Sequence, residues 1–199
     1  MSPASIPALQ DEYTVKWHSD PQAGSESGLN ALILEQHRQN FALWHEEDRA
    51  RGPLAPPEQI AQTKRNIDAL NQVRNDLVEA IDRELLQQLE KARVQLSGKL
   101  HSETPGMIID RLSILSLKIF HTREQIDRSD VDEGHVQRNE HRLQVLMEQR
   151  ADLAKCLVEI WQEIQNGKRR FKLYRQLKMY NDPKLNPEIY GSASAREQN

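Results

Sequence analysis

The chain has 199 residues, enough to bury one substantial core, and its 37% apolar and 29% charged residues suit amphipathic helices half exposed to water. A net charge of -3 supplies no global basic field, so no DNA partner is expected, and the single cysteine, Cys156, excludes an internal disulfide or a Cys-based zinc site. No apolar run approaches the roughly 20 residues that cross a bilayer and the opening MSPASIPALQDEYTVKW has no secretory pattern, so no transmembrane segment and a cytoplasmic location are expected.

Residues 1–27 mix Pro, Ser, Gly and charge without a helical period and read as an irregular lead segment. A first helix is predicted over 29–49, stopping before Gly52-Pro53. Pro56-Pro57 opens a second, long one that carries Ile60, Ile67, Leu70, Val78, Ile81, Leu85 and Leu89 at helical spacing and fades by Gly98. The third has the clearest start, with Thr104 as N-cap and Pro105 at the first helical position, and runs to about Arg128. A polar loop leads to a fourth helix over 135–166, with Gly167 as its stop. A short basic helix to about Tyr180, the extended NDPKLNPEIY and a tail over 191–199 expected to be disordered complete the chain. The expected fold is all-α: a single domain over 28–190, an antiparallel four-helix-type bundle with an additional short C-terminal helix.

Polar residues on apolar faces are the functional signal. At 100° per residue, Arg74 points along the apolar direction of the second helix with Asn71 beside it, and Arg150 lies mid-seam on the fourth. Gln36, His37 and Asn40 share the arc of Leu29, Ile33 and Trp44 on the first helix. The third is apolar nearly all round, which places it centrally and leaves Asp110, Arg111, Lys118 and His121 at least partly buried. Buried arginines need anionic partners, because an unpaired buried ion costs several kcal/mol. Asp110 and Asp68 are protein candidates and an anionic ligand is the other. An internal network that fixes helix register is the structural alternative.

Other chemistries compete. His45 with Asp48, and His121 with Glu124, have the i, i+3 spacing of metal-binding bundles. Their order is the reverse of the usual Glu-before-His pattern, so they are weak metal candidates and no cofactor is predicted. Lys168, Arg169, Arg170, Lys172, Arg175 and Lys178 interleave with Phe171, Tyr174 and Tyr180, a pattern suited to phosphate-bearing partners, or else a solvated helix face. Cys156 reads as a small buried residue, and Leu34 and Val145, outside the main seams, would permit a homodimer.

The stretches ETPGMIIDRLSILSLKIFH and FKLYRQLKMYNDPKLNPEIY, with ILEQHRQNFALWHEEDRAR and KRNIDALNQVRNDLVEAID, resemble a bacterial family classed as a domain of unknown function, over about residues 29–190. The long TPGxxIDRLSILxLK string, with KMYNDPxLNP behind it, is specific. The resemblance implies a role beside glycosyltransferases in cell-surface polysaccharide assembly and brings no catalytic residues with it. Its motifs contain Asp110, Arg111 and Lys118, while Arg74 and Asn75 lie in RNDL. The shorter EAIDRELLQQL resembles the helix pattern of all-α chorismate mutases, whose other residues do not line up here.

Together these point first to an anionic small molecule, a sugar phosphate or nucleotide sugar, bound where the third helix's N-terminus meets Arg74. His37, Asn40, Asn75, Asp110, Arg111, Lys118 and Arg150, with Arg170, Tyr174, Arg175 and Lys178 of the basic segment, are the ligand-binding candidates. A non-enzymatic partner of a glycosyltransferase, and an all-α enzyme (a metal-dependent hydrolase or an acid-base lyase or mutase), are the rival readings. No catalytic residue is assigned.

Overall fold

A computed structural model describes residues 2–24, 26–53, 55–177 and 184–187. The fold is all-α. A 3-10 turn leads into α1 (Ile6–Ser19), followed by α2 (Gly28–Ala50), α3 (Pro57–Lys91), α4 (Pro105–Ile126) and α5 (Glu133–Gln165). The only strands among the described residues are β1 (Lys99–Leu100) and β2 (Arg169–Arg170), paired in parallel. No helix of the described residues is long and apolar enough to cross a membrane.

Helix α4 packs against each of the other four helices, which accords with apolar residues around its whole circumference. Ile81 and Leu85 of α3, Ile109 and Leu112 of α4, and Leu157 and Ile164 of α5 form the fully buried centre of the core. Burial of such side chains contributes about 1.5–3 kcal/mol each and outweighs the modest propensity of the isolated helices.

The N-terminal segment is not irregular. Residues 6–19 form α1, whose buried side chains Ile6, Gln10, Tyr13, Thr14 and Trp17 recur at helical spacing. Two of those five are polar and bond inside the protein, so a search for apolar period alone passes over the helix. Leu34, expected to be free for a dimer contact, is buried against Tyr13 and Trp17 of this helix.

The C-terminal basic segment is not helical in its described part. Asn166 ends α5, and Gly167 at φ 69° adopts the left-handed conformation. Lys168 N–H donates to Glu163 O at 2.8 Å and Gly167 N–H to Ile164 O at 3.0 Å, the paired bonds of a Schellman stop. The chain then runs extended beside β1, with Phe171 buried in the core and Lys172, Tyr174, Arg175 and Leu177 exposed. Lys178 and the tail over 191–199 lie outside the described residues.

The start of α4 is built on a close approach. Thr104 caps the helix by accepting from Met107 N–H at 3.2 Å. Gly106 N–H donates to Asp82 Oδ1 of α3 at 2.8 Å. A Cβ on Gly106 would stand 2.8 Å from both Asp82 Oδ1 and Val78 O, so the two helices meet here only because residue 106 has no side chain. Burial pushes the Asp82 carboxyl up to about 6, against the hydrogen bonds from Thr104 and Gly106 that favour its charged form.

Candidate functional site

Polar side chains on the inner faces of α1, α2 and α4 form one continuous network. Arg150 of α5 donates to both carboxylate oxygens of Asp11. Asp11 accepts from Ser116 at 2.7 Å, and Ser116 meets Thr14 at 3.2 Å. Thr14 Oγ1 lies 2.9 Å from His37 Nε2, whose N–H also faces Gln10 O at 2.9 Å; that carbonyl can only accept, so Nε2 carries the proton. His37 Nδ1 then accepts from Ser113 at 2.7 Å, and Ser113 accepts from Asn40 at 2.9 Å. Asn40 also donates to Asp110 Oδ1 at 2.9 Å, where Gln36 donates at 2.5 Å.

This satisfies His37 on both nitrogens. Its ring has no exposed surface, and burial holds its pKa down to about 4 against the raising effects of the Gln10 carbonyl and Asp11. His37 is therefore not the accessible ligand-binding or proton-transfer group expected from sequence. Arg150 is likewise paired to a protein carboxylate, and Asp68 serves Lys64 at 2.6 Å rather than either buried arginine.

At the other end the network opens. Arg74 Nε of α3 is buried with no hydrogen-bond partner among the described residues; it pairs with Asp110 Oδ1 as an ion at 3.7 Å, too long for a hydrogen bond. Its side chain is 25% exposed and lines a cleft of about 400 Å³ between α2, α3 and α4. Asn40, Trp44, Glu47, Asp48, Arg51 and Asn71 also line it, with Leu43, Ile114 and Leu117 as its apolar part. The N-terminus of α4 does not contribute, because Asp82 and Thr104 already occupy its free N–H groups. Asn75 is buried on α3 and does not line the cleft.

A second cleft of about 510 Å³ shares Trp44 and Asp48 with the first and is lined further by Lys118, His121, Thr122, Gln125 and Arg142. Beside it His18 of α1, His45 of α2 and His121 of α4 converge, with one ring nitrogen of each within 4.8 Å of the others. His18 Nδ1 lies 2.7 Å from Thr14 O and His121 Nδ1 lies 2.6 Å from Glu124 Oε2. His121 Nε2 is buried without a partner among the described residues. Trp44 stacks on the His121 ring at 4.6 Å and Phe120 on the His18 ring at 4.1 Å. Burial and the neighbouring His18 and His121 lower the His45 pKa and favour its neutral form. The two weak metal pairs of the sequence thus meet in space: His45 and His121 share a cluster, Glu124 bonds His121, and Asp48 lines the adjoining clefts. His18 was missed because its helix was.

The remaining candidates lie elsewhere. Arg111 and Lys118, expected to be at least partly buried, are exposed; Arg111 pairs with Glu103 at 2.6 Å, and both border a groove of about 740 Å³ between α4 and α5, Lys118 lining the second cleft as well. Cys156, expected to be buried, is exposed and lines that groove. Arg170 sits in β2 with its Nε buried and without a partner among the described residues, while Tyr174 and Arg175 are exposed on the extended segment that follows.

A family model described as Protein of unknown function (DUF4254) matches residues 30–173, from the start of α2 to just past β2. No curated protein and no solved structure matches the chain.

Proposed function

The chain belongs to the DUF4254 family, whose description carries no activity, and from the geometry we propose that it binds an anionic small molecule in the cleft between α2, α3 and α4. One observation carries the reading: Arg74 presents a guanidinium whose buried Nε has no hydrogen-bond partner, at the wall of a cleft of about 400 Å³. Asp110 stands 3.7 Å from that nitrogen as a loose ion-pair partner without a hydrogen bond, and an anionic group that reaches the guanidinium would add charge-assisted bonds, about twice as strong as neutral ones. The cleft is within the size range of small-molecule sites, roughly 300–1,000 Å³. Asn40, Asn71, Glu47 and Asp48 offer donors and acceptors for hydroxyl groups, and Trp44 offers an apolar wall. That combination suits a sugar phosphate or nucleotide sugar, consistent with the service to cell-surface glycan assembly that the family resemblance implies.

The test is a thermal-shift screen of chelator-treated protein against sugar phosphates, nucleotide sugars and diacids. A ligand at 100 times its Kd should add about 2.7 kcal/mol, a shift of several degrees. Arg74→Ala should abolish it while unfolding cooperatively. A panel without hits, or a hit indifferent to Arg74→Ala, overturns the proposal.

A second reading, a docking surface for a glycosyltransferase, is favoured by the exposed Lys172, Tyr174, Arg175 and Leu177 on the extended segment after β2. Charge reversal at Lys172 and Arg175 should then abolish co-purification with that partner. Unchanged capture counts against it.

A further inference from the structure

We propose that His18, His45 and His121 hold one late first-row transition-metal ion, with Zn²⁺ as the best chemical fit, and leave one coordination position open to the adjoining cleft. The proposal is independent of ligand binding at Arg74.

The first ground is tautomer. A backbone carbonyl can only accept, so the 2.7 Å contact of His18 Nδ1 with Thr14 O fixes the proton on Nδ1 and leaves a lone pair on Nε2 of the neutral ring. The Glu124 carboxylate does the same for His121 at 2.6 Å. Two rings from different helices are thus set in the form that ligates metal through Nε2, each with the outer hydrogen bond that typically orients a metal-binding histidine. The carboxylate–His121 pair is of the kind that raises ligand basicity at zinc sites.

The second ground is an atom otherwise unexplained. His121 Nε2 is buried and has no partner among the described residues, although leaving a buried polar group orphaned is costly. Trp44, stacked on the ring at an interplanar angle of 7°, limits the ways in which that nitrogen could turn to find a partner.

The third ground is spacing. A tetrahedral ion held at about 2.0–2.1 Å by three imidazole nitrogens puts the ring centroids about 5.2 Å apart. Here His18–His121, His18–His45 and His45–His121 are separated by 5.2, 5.4 and 5.7 Å. The ring centroids stand within about 0.5 Å of that spacing. The ligating nitrogens lie within 4.8 Å of one another, and binding would draw them in to the spacing of about 3.3 Å that a tetrahedral ion sets.

Imidazole nitrogen suits Zn²⁺, Cu²⁺ or Ni²⁺ and suits Mg²⁺ or Ca²⁺ poorly. Three protein ligands with a fourth position open is the pattern of zinc sites that bind water or a substrate oxygen, whereas closed structural sites take four protein ligands. The cleft beside His121 carries Lys118 and Arg142 against one carboxylate, Asp48, so the species suited to the open position is water or an oxyanion.

The experiment uses the full chain without a polyhistidine tag, stripped with chelator and titrated with Zn²⁺ by calorimetry and with Co²⁺ by visible absorption. The expected result is one saturable ion per chain and the intense visible bands of four-coordinate Co²⁺. His18→Gln, an exposed position with little bearing on folding, should weaken binding by more than about 100-fold, and Glu124→Gln by about 10–100-fold. Arg74→Ala should leave it unchanged. No saturable binding overturns the proposal. So does binding that survives both His18→Gln and His45→Gln in folded protein, since the ion then sits elsewhere.

Discussion

His37 and His121 face the same helix, α1, and Thr14 of that helix takes part in both surroundings. Its hydroxyl lies 2.9 Å from His37 Nε2, and its carbonyl accepts from His18, the neighbour of His121. Around His37 every ring nitrogen has a protein partner and no surface reaches solvent. Around His121 one nitrogen is bonded, the other is buried without a partner, and a cleft adjoins it. Polarity inside a bundle is therefore ambiguous until its hydrogen bonds are counted. A ring partnered on both nitrogens orders helices, whereas buried atoms without a partner beside a cleft, as at Arg74 and at His121, are where a ligand has something to satisfy.

The harshest way to break that comparison is His37→Ala. The substitution removes contacts to Gln10, Thr14 and Ser113, deprives the Ser113 hydroxyl of its acceptor and leaves a cavity where nothing is exposed. The expected cost is about 3–5 kcal/mol, a fall of roughly 10 °C in Tm. Urea denaturation measures it. A loss under about 1 kcal/mol would mean that the closed network is not what holds α1, α2 and α4 together.

The next test sharpens the comparison through pH. His37 has its pKa lowered to about 4 by burial, so the unfolded chain binds its proton first. The stability tied to its neutral form is whole above the unfolded value near 6.5 and is lost as pH falls toward 4. Asp82 runs the other way. Raised to about 6, it binds its proton first in the folded chain, so its stability contribution is whole below 3.8 and is lost as pH rises through 6. Each amounts to about 3 kcal/mol, and between roughly pH 4 and 6 the two oppose each other. His37→Gln should expose the Asp82 trend, with stability falling as pH rises over that window. Asp82→Asn should expose the His37 trend, with stability rising. Denaturation midpoints for both variants from pH 4 to 7 decide it, and parallel profiles would refute the assignment.

Much of the helical frame was legible because its signals are local. Thr104-Pro105 starts α4 where capping chemistry says it should, and Gly167 stops α5 by a left-handed turn. Residues 6–19 escaped notice because Gln10 and Thr14 occupy the buried face, and their partners Ile109, His37 and Ser116 are remote in sequence. The basic segment has the composition of a helix, but its extended form depends on pairing with β1, about 70 residues earlier. The site divides in the same way. Arg74 stood out as a charge on an apolar arc, and His45 and His121 as spaced pairs. Which nitrogen is free, and which third histidine joins them, depends on three helices meeting, and no spacing along one helix encodes that.

The gentlest variant is the most discriminating. His18 is exposed, with one hydrogen bond to the carbonyl of its own preceding turn and a stack on Phe120. If the three-histidine cluster is an open site and not a second ordering device, chelator-treated His18→Ala should unfold within about 0.5 kcal/mol of the parent chain. An exposed residue whose neighbours keep their own partners has little stability to give up. His37→Ala, by contrast, should lose several kcal/mol, although both substitutions remove one imidazole that contacts Thr14. A loss above about 2 kcal/mol at His18 would show that the aromatic stacking of His18, Phe120 and His121 carries structural weight comparable to the His37 network. The contrast between closed and open histidines would then no longer separate the part of this protein that holds its shape from the part that meets a ligand.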